Sequence, residues 1–393
     1  MDMQNKAKKL IEMIQTAPVE WKPLGGENGI AIIKTGQAVS KQKISNNVGS
    51  YPVINSGKEP LGYIDEWNTE NDPIGITTRG AGVGSITWQE GRYFRGNLNY
   101  AVTIKNKTEL DVRFLYHILL EFEQEIHALC TFTGIPALNA SNLKKLLIPI
   151  PPLETQQRIV KILDKFTELE ATLEAELALR KRQYQYYRDF LLDFDNQIGG
   201  GIADGYKGRL KDVVWKTLGE VCENLDSMRK PITSNFRKAG NIPYYGASGI
   251  VDYVEDFILD GDYLLVSEDG ANLLARKTPI AFSVSGKIWV NNHAHILKFR
   301  TYAERRFIEF YLNNIDISMY ISGAAQPKLN KQNLNKIRIP IPPLPEQEKI
   351  VAILDKFDTL THSVSEGLPH EIALRRKQYE YYREQLLAFP KAA

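Results

Sequence analysis

The chain has few features of a secreted or membrane protein. Only two of its 393 residues are cysteines, Cys130 and Cys222, and their separation fits no metal site. This usage favours a reduced intracellular protein with free thiols. The lysine-rich N-terminus has too little apolar sequence for a signal peptide, and no apolar run is long enough to span a membrane. The sequence therefore predicts a cytoplasmic protein with no membrane partner.

The chain also has little net charge. Its formal charge is +2, with a pI of about 8.2, so a polyanion would have to be held by local basic patches rather than by the field of the whole molecule. Hydrophobic residues make up 43% of the chain and charged residues 24%. This composition suits two or three globular domains with hydrophobic cores.

Motifs for catalysis are incomplete. Residues 71–74 (Asn-Asp-Pro-Ile) lack the second proline and the aromatic residue that a base-flipping methyltransferase needs, and the glycines of residues 80–85 have no lysine after them for a phosphate loop. Residues 20–22 (Glu-Trp-Lys) lack an upstream acid for a nuclease, and His293 and His295 have no further metal ligands nearby in sequence. The sequence therefore gives only weak support to the hypothesis that the chain is a self-sufficient DNA methyltransferase or nuclease.

The dominant feature of the sequence is an internal repeat. Residues 148–166 and 339–357 are identical at 14 of 19 positions, and residues 178–188 and 373–383 at 8 of 11. Residues 19–25, which include Trp21, are echoed by residues 214–219. A repeat of this length sets the architecture, so the second copy begins well before its helix.

Each copy ends in a long helical pattern with a coiled-coil seam. Apolar residues recur at alternating steps of three and four, with two consecutive steps of four around Leu173 that shift the register as a stutter does. In the second copy, Gly367 and Pro369 predict a break. A helix so long and so narrowly apolar needs a partner, and a pseudo-two-fold repeat would pair the two helices antiparallel.

Before each long helix, short strand patterns separated by turns predict a compact α+β unit. In the first copy we predict strands near residues 29–34, 74–78 and 100–105 and a helix over residues 112–129. We call these units head 1 and head 2, and the long helices the spacer helices. The predicted domains are an N-terminal helix and arm at 1–20, head 1 at 21–147, the first spacer helix at 148–194, a glycine-rich connection at 195–214, head 2 at 215–338 and the second spacer helix at 339–393.

The repeated helices carry a set of specific motifs. In the first copy they are Pro-Pro-Leu, Gln156, residues 162–166 (Ile-Leu-Asp-Lys-Phe) and residues 183–188, and in the second copy residues 353–357, 366–369 and 377–383. These motifs resemble those of the specificity (S) subunit of type I restriction-modification enzymes, most closely the IC subgroup. The resemblance covers nearly the whole chain, with its specific motifs in the helices.

The resemblance implies two target recognition domains joined by antiparallel helices, each reading one half of a split, asymmetric site in double-stranded DNA. It also implies modification subunits docked on the helices, which methylate adenine with S-adenosylmethionine, and restriction/translocase subunits that use ATP and Mg. This chain would be non-catalytic and would bind none of these cofactors itself. A purely structural coiled-coil scaffold is a further alternative, although it does not explain two similar heads with divergent loops.

DNA contacts are expected on the divergent loops of the heads, where basic groups meet phosphates and polar groups reach base edges. The glycine loop after residue 77 and the basic segment at 228–238 are the main candidates. A plain hairpin turn or solvated surface charge is the alternative for each position. The candidates in head 1 are Lys41, Lys43, Thr78, Arg79, Gly80, Arg92, Arg95 and Asn97, and those in head 2 are Arg229, Lys230, Arg237, Lys238, Tyr244, Ser267 and Asn272.

The seam and the tyrosine-rich helix ends are expected to form the spacer and the partner-subunit interface. Helical spacing favours subunit packing over base stacking for the tyrosines. The residues assigned to this role are Ile159, Phe166, Leu173, Tyr184, Tyr187, Ile350, Phe357, Tyr379 and Tyr382.

Deleting residues 366–369 tests the spacer role. Two heads that read one face of a duplex must lie about one helical turn, roughly 34 Å, apart. We expect the deletion to change the permitted spacing between half-sites while both half-site sequences stay the same. Methylome sequencing measures both quantities, and an unchanged spacer would contradict the hypothesis.

Overall fold

The computed structural model describes residues 11–14, 18–57, 59–194, 213–323 and 325–390. The chain forms two compact units. Unit 1 comprises the described residues of Met1–Glu174 and Glu371–Ala393, and unit 2 those of Ala175–His370. Each unit thus contains one head with a part of each spacer helix. Most of the predicted glycine-rich connection lies outside the described residues, and the predicted domain boundaries stay a prediction.

Head 1 is built from two four-stranded sheets and a short neck. Its strands are β1 (Glu20–Pro23), β2 (Ala31–Thr35), β3 (Val48–Ile54), β4 (Tyr63–Ile64), β5 (Thr69–Glu70), β6 (Ile74–Thr77), β7 (Ile86–Trp88), β8 (Arg92–Arg95), β9 (Asn99–Ile104), β10 (Cys130–Thr131), β11 (Ala137–Leu138) and β12 (Leu147–Ile150). The sheet orders are β2-β9-β6-β7 and β4-β3-β8-β5. Strands predicted at 29–34, 74–78 and 100–105 are thereby confirmed to within two residues.

The helices of unit 1 cover the first of these sheets, except that α1 packs on the second through Ile44. They are α1 (Lys41–Asn46), α2 (Val112–Glu121), α3 (Glu123–Ala128), α4 (Ala140–Leu143) and the first part of α5 (Leu153–Leu192). The single helix predicted over 112–129 is in fact two, because the chain leaves helical geometry at Phe122. The buried face of α2, with Phe114 and Ile118, packs in one core with Ile76 and Val102 of the sheet.

Head 2 has one six-stranded sheet, in the order β14-β19-β17-β18-β15-β16. The strands of unit 2 are β13 (Val214–Thr217), β14 (Glu223–Asn224), β15 (Ala239–Gly246), β16 (Gly249–Val254), β17 (Leu259–Ser267), β18 (Ala281–Val290), β19 (Ala294–Lys298) and β20 (Arg338–Ile341). Its helices are α6 (Leu218–Val221), α7 (Asn272–Ala275), α8 (Tyr302–Asn314), α9 (Lys331–Lys336) and α10 (Leu344–His362), and α11 (Gly367–Leu387) follows.

The two repeated motifs of each copy pair with one another at the neck of a head. β1 runs antiparallel to β12, with Trp21 opposite Pro149, and β13 runs antiparallel to β20, with Trp215 opposite Pro340. The tryptophan strand opens the head and the proline-rich strand leads into the spacer helix. Two segments more than a hundred residues apart are therefore repeated together because they form one structure.

Below the neck, an arginine of each head is paired with the aspartate of the repeated Leu-Asp-Lys-Phe motif. The Nε of Arg113 lies 2.8 Å from Asp164 in unit 1, and a terminal nitrogen of Arg306 lies 2.8 Å from Asp355 in unit 2. Gln156 donates to the carbonyl groups of Glu109 and Pro151 and accepts from the Asp111 amide, all at 2.8 Å. These bonds fix each head to its spacer helix.

A second duplication, which the sequence did not reveal, lies in the hairpins of the heads. β3 and β15 each pair in parallel with a later strand, β8 and β18, and antiparallel with β4 and β16. The antiparallel pairings contain a bulge at Gly49 in head 1 and at Gly240 in head 2. A Cβ atom at either glycine would collide with the backbone of the facing strand, so the bulges need glycine.

The spacer helices pack antiparallel within each unit. In unit 1, Phe166 of α5 stacks on Tyr382 of α11 at 5.4 Å, while Glu170, further along α5, pairs with the earlier residue Arg376. In unit 2, the Tyr184 ring lies 5.6 Å from that of His362 and the Tyr187 ring 5.4 Å from that of Phe357. In both cases residue numbers rise on one helix as they fall on the other, which is the predicted antiparallel pairing.

The predicted break in the second spacer helix is confirmed. α10 ends at His362 and α11 begins at Gly367, which has a φ of +74°. A left-handed backbone is open to glycine and costly for other residues, so Gly367 lets the chain turn between two helices.

Phe166→Ala tests the packing of unit 1. The side chain is 2% exposed and stacks on Tyr382, so its loss should destabilise unit 1 by about 3–5 kcal/mol. Hydrogen exchange should rise in peptides of α11 and stay unchanged in the strands of head 2. The exposed residue Lys161 of the same helix supplies a control, since Lys161→Ala should change little. Equal exchange in the two variants would contradict this packing.

Candidate nucleic-acid interface

Three loops meet at one end of head 1. The Thr78 amide donates to the Leu98 carbonyl at 2.9 Å, and the Gly80 amide donates to the Pro136 carbonyl at 3.0 Å. Arg79, between them, forms an isolated bridge with Ala137. The glycine loop, the turn at 96–98 and the β10–β11 hairpin are thus held together by the backbone, and the Arg79 side chain is exposed.

Head 2 builds the same junction with other side chains. The Glu268 amide donates to the His293 carbonyl at 2.8 Å, and the Gly270 amide donates to the Pro327 carbonyl at 3.1 Å. Asp269 forms an isolated bridge with Lys328. Asp269 therefore occupies the backbone position that Arg79 occupies in head 1. Gly80 and Gly270 both have positive φ, at +95° and +108°, which explains a glycine at the turn in both loops.

The strand register corrects one sequence alignment. From sequence alone, residues 97–101 align with residues 290–294, which matches Asn97 with Val290. In the structure, however, Thr77 faces Asn99 across the sheet of head 1, while Ser267 faces Ala294 in head 2. The two copies are therefore offset by two residues from the sequence alignment. A shift of two preserves the face to which each side chain points, so the hydrophobic pattern alone did not expose the error.

A buried charge network lies beneath the junction of head 2. The Nδ1 atom of His295 lies 2.6 Å from an Asp226 carboxylate oxygen, and its Nε2 atom lies 2.7 Å from the Leu329 carbonyl oxygen. Arg229 pairs with Glu268 and lies 3.6 Å from Asp226, and Lys328 lies 3.1 Å from Glu268. Because buried charges are tolerated only when paired, these groups hold one another in place.

The network lowers the pKa of both its carboxyl groups. Burial alone would raise the pKa of Asp226, but the hydrogen bond and charge of His295 outweigh it. Burial would likewise raise the pKa of Glu268, but the hydrogen bond from Arg229, with help from His295 and Lys328, lowers it. Both carboxylates are therefore stabilised in the ionised form by their neighbours.

Several predicted DNA contacts lie in the interior instead. Arg95 is 2% exposed, and its guanidinium donates to Asn99, to the hydroxyl of Tyr93 and to backbone carbonyls. Tyr244 is 1% exposed, and its hydroxyl accepts from the Ile232 amide at 2.9 Å. These two side chains therefore support the head from within its interior.

Three further candidates are also structural. Ser267 is buried and donates to the Ala247 carbonyl, while Thr78 is largely buried beneath the loop. Arg229 belongs to the buried network, where it also donates to the carbonyls of Asn292 and Ala294. The donors of Arg229 are thus already used inside the head, and its role as a DNA contact stays a prediction.

Other candidates are at the surface but engaged. Arg92 bonds Glu70 at 2.9 Å, Arg237 bonds Asp252 at 3.0 Å, and Lys238 lies 3.6 Å from Glu255. Lys43 pairs with Glu66. The Asn272 side chain bonds both backbone groups of Thr278 and closes its own loop. Of the candidate side chains, those of Lys41, Arg79 and Lys230 are exposed and form no ion pair with the described residues. The Asn97 side chain is also exposed.

The predicted spacer residues are used within the chain itself. Ile159, Phe166 and Tyr382 are buried in unit 1 and Ile350 in unit 2, whereas Leu173 is half-buried. Their burial assigns them to spacer packing rather than to a partner's surface.

The predicted tyrosines are likewise engaged within the chain. Tyr184 and Tyr187 pack on Phe357, and burial raises the pKa of Tyr184 to about 12. The Tyr379 hydroxyl lies 3.5 Å from the His117 ring. Tyr186 and Tyr381, which belong to the same tyrosine-rich helix ends, are the tyrosines left more than half exposed on these helices.

Neither a metal site nor a membrane span is found in the ranges that the structure describes. No group of three or more His, Cys, Asp or Glu side chains is arranged to hold an ion there. No described helix is long and apolar enough to cross a bilayer.

The model of one protein family matches the chain twice. The type I restriction modification DNA specificity domain matches residues 18–179 and 211–374, so each match contains one head and the start of the helix after it. The chain belongs to the type I restriction-modification DNA specificity family. It is therefore a DNA-recognition subunit that works with other subunits and is not the catalytic one.

Proteins named as type I specificity subunits align with one half of the chain or with nearly all of it. The EcoR124I/EcoR124II specificity subunit of Escherichia coli is 31% identical over 97% of both chains. A Haemophilus influenzae protein named as a type I restriction enzyme specificity subunit is 43% identical, over 45% of this chain and 46% of its own length. The crystal structure of the S subunit from M. genitalium has the same fold, with a TM-score of 0.67 at 21% identity over 96% of this chain and 97% of that one.

Arg229→Ala tests the buried network of head 2. Without Arg229, Glu268 and Asp226 lose a positive partner, and breaking a buried pair costs about 3–5 kcal/mol. We expect faster hydrogen exchange at pH 7 in peptides covering 264–298 and no change at 74–104 in unit 1. Lys230→Ala, at the exposed neighbouring residue, is the control.

The cost of Arg229→Ala should shrink in acid. The two carboxyl groups have lowered pKa values in the folded protein, so their ionised forms contribute stability above the unfolded pKa, and this contribution is lost as the pH falls. Without Arg229 the carboxyl groups take up protons more readily, and a neutral acid needs no cation. A penalty that is equal at pH 7 and pH 4 would contradict the network.

Proposed function

We propose that the chain reads a split, asymmetric target in double-stranded DNA, with head 1 on one half-site and head 2 on the other. The observation that carries this proposal is the shared loop junction. An identical backbone arrangement presents Arg79 in one head and Asp269 in the other. A cationic donor and an anionic acceptor select different base edges, so two heads with one frame would read two sequences.

The spacer helices would hold the heads and carry the partner subunits. Their apolar seam is buried inside the chain, which leaves the opposite faces, with Tyr186 and Tyr381, for docking. The partners proposed are modification subunits, which supply adenine methylation with S-adenosylmethionine, and restriction/translocase subunits, which use ATP and Mg. The assembly would work in the cytoplasm, where the DNA is.

Coexpression with the modification subunit tests this function. Methylome sequencing of cells that carry both chains should reveal one bipartite motif, and the purified chain alone should transfer no methyl group from S-adenosylmethionine. Transfer by the chain alone would favour the self-sufficient enzyme. An assembled complex that binds all DNA sequences equally would favour a plain scaffold.

Arg79→Ala should relax recognition in one half-site only. A bidentate arginine–guanine contact is worth about 1–3 kcal/mol of discrimination, so one base position of the motif should lose most of its selectivity. The control is Lys145→Ala, at an exposed lysine near the neck of the same head. If Arg79→Ala instead weakens binding to all sequences alike and reduces the salt dependence, Arg79 contacts a phosphate.

A further inference from the structure

Asp269 and His293 form a surface pair at the loop junction of head 2. The Nδ1 atom of His293 lies 2.8 Å and 3.0 Å from the two carboxylate oxygens of Asp269. The side chains are 17% and 49% exposed, so the pair stands at the surface rather than in the core. Within the described part of the chain, no hydrogen bond is made by the Nε2 atom of His293.

The backbone on both sides of this pair is fixed. Asp269 bridges to Lys328, and the flanking residues Glu268 and Gly270 bond the same loop through their backbone groups. The His293 amide donates to the Asn291 side chain at 2.8 Å. The carboxylate is therefore held in one place before any ligand arrives, which lowers the entropy cost of binding.

The charges around Asp269 decide what it can bind. Asp226 and Glu268 are held below the surface by Arg229 and His295, and the half-exposed Lys328 lies 3.1 Å from Glu268. Asp269 lies outside this network and is the one of these three acids that is at the surface, where a phosphate would repel its carboxylate. An acceptor at this place suits a hydrogen-bond donor on a base edge, and cytosine and adenine present an exocyclic amino group in the major groove.

We propose that Asp269, oriented by His293, is a specificity-determining residue of head 2 that accepts a hydrogen bond from the exocyclic amino group of a base, with cytosine preferred. Cytosine is preferred because carboxylates accept from its N4 group, whereas adenine pairs best with a side-chain amide. The proposal rests on the proposed function, and it makes the second head an acceptor where the first is a donor.

The test uses the complex of the full chain with its modification subunit. Asp269→Asn keeps the shape of the side chain and adds a donor, and Asp269→Ala removes the acceptor. Both should lower discrimination at one base position by roughly tenfold to a hundredfold, and Asp269→Asn should shift the preference towards adenine. The position should lie in the half-site that Arg79→Ala leaves intact. Asp256→Asn, an exposed acid on another loop of head 2, is the matched control.

Two further measurements separate base reading from a structural role. The salt dependence of binding should not weaken in the Asp269 variants, because no phosphate contact is lost. Hydrogen exchange at 264–298 should match the wild type in Asp269→Asn, which shows that the loop is still folded. His293→Ala should lower discrimination at the same base position, since His293 orients the carboxylate.

The outcomes decide between the proposals. If the wild-type complex methylates a specific motif and Asp269→Asn, with its loop folded, leaves that motif unchanged, the role of Asp269 is refuted while the proposed function stands. Loss of both half-sites together in Asp269→Asn would also refute it, because a base contact affects one position. If the wild-type complex itself shows no motif, the proposed function fails first.

Discussion

The pairing of two short strands at the neck is the constraint on which each head depends. β1 with β12, and β13 with β20, bring the first residues of a head beside the residues that enter its spacer helix. This strand pairing closes each head, because it holds the two ends of the head's chain next to each other. The recognition loops between the two strands can change in sequence without changing this pairing. The repeated motifs lie at the closure and the divergence lies within it.

The side chains below the neck extend the same constraint to the helix. Asp164 and Asp355 occupy matching places in the two copies and hold Arg113 and Arg306 of the head helices. The Leu-Asp-Lys-Phe motif thus combines two tasks. Its aspartate fixes the head, and Phe166 in the first copy packs on the other spacer helix.

Much of this architecture could be predicted from sequence, because a repeat and a heptad seam are local patterns. The antiparallel helices and the break at Gly367 both follow from such patterns. The role of Arg95 did not, because its partners Asp72 and Asn99 come together only when separate strands pair. The burial of Tyr244 was also missed, since an aromatic residue beside basic residues in sequence fits a core position as well as a DNA contact.

The two heads use buried arginines in different ways, and the difference limits which loop residues can vary. Arg95 of head 1 bonds mainly neutral acceptors, whereas Arg229 of head 2 faces the carboxylates of Asp226 and Glu268. Removing one member of a buried charged set leaves another unpaired, so Glu268 cannot be exchanged alone. Asp269, one residue further along, is outside that buried set. A rigid base beneath a replaceable surface residue lets a recognition loop change what it reads without loss of its fold.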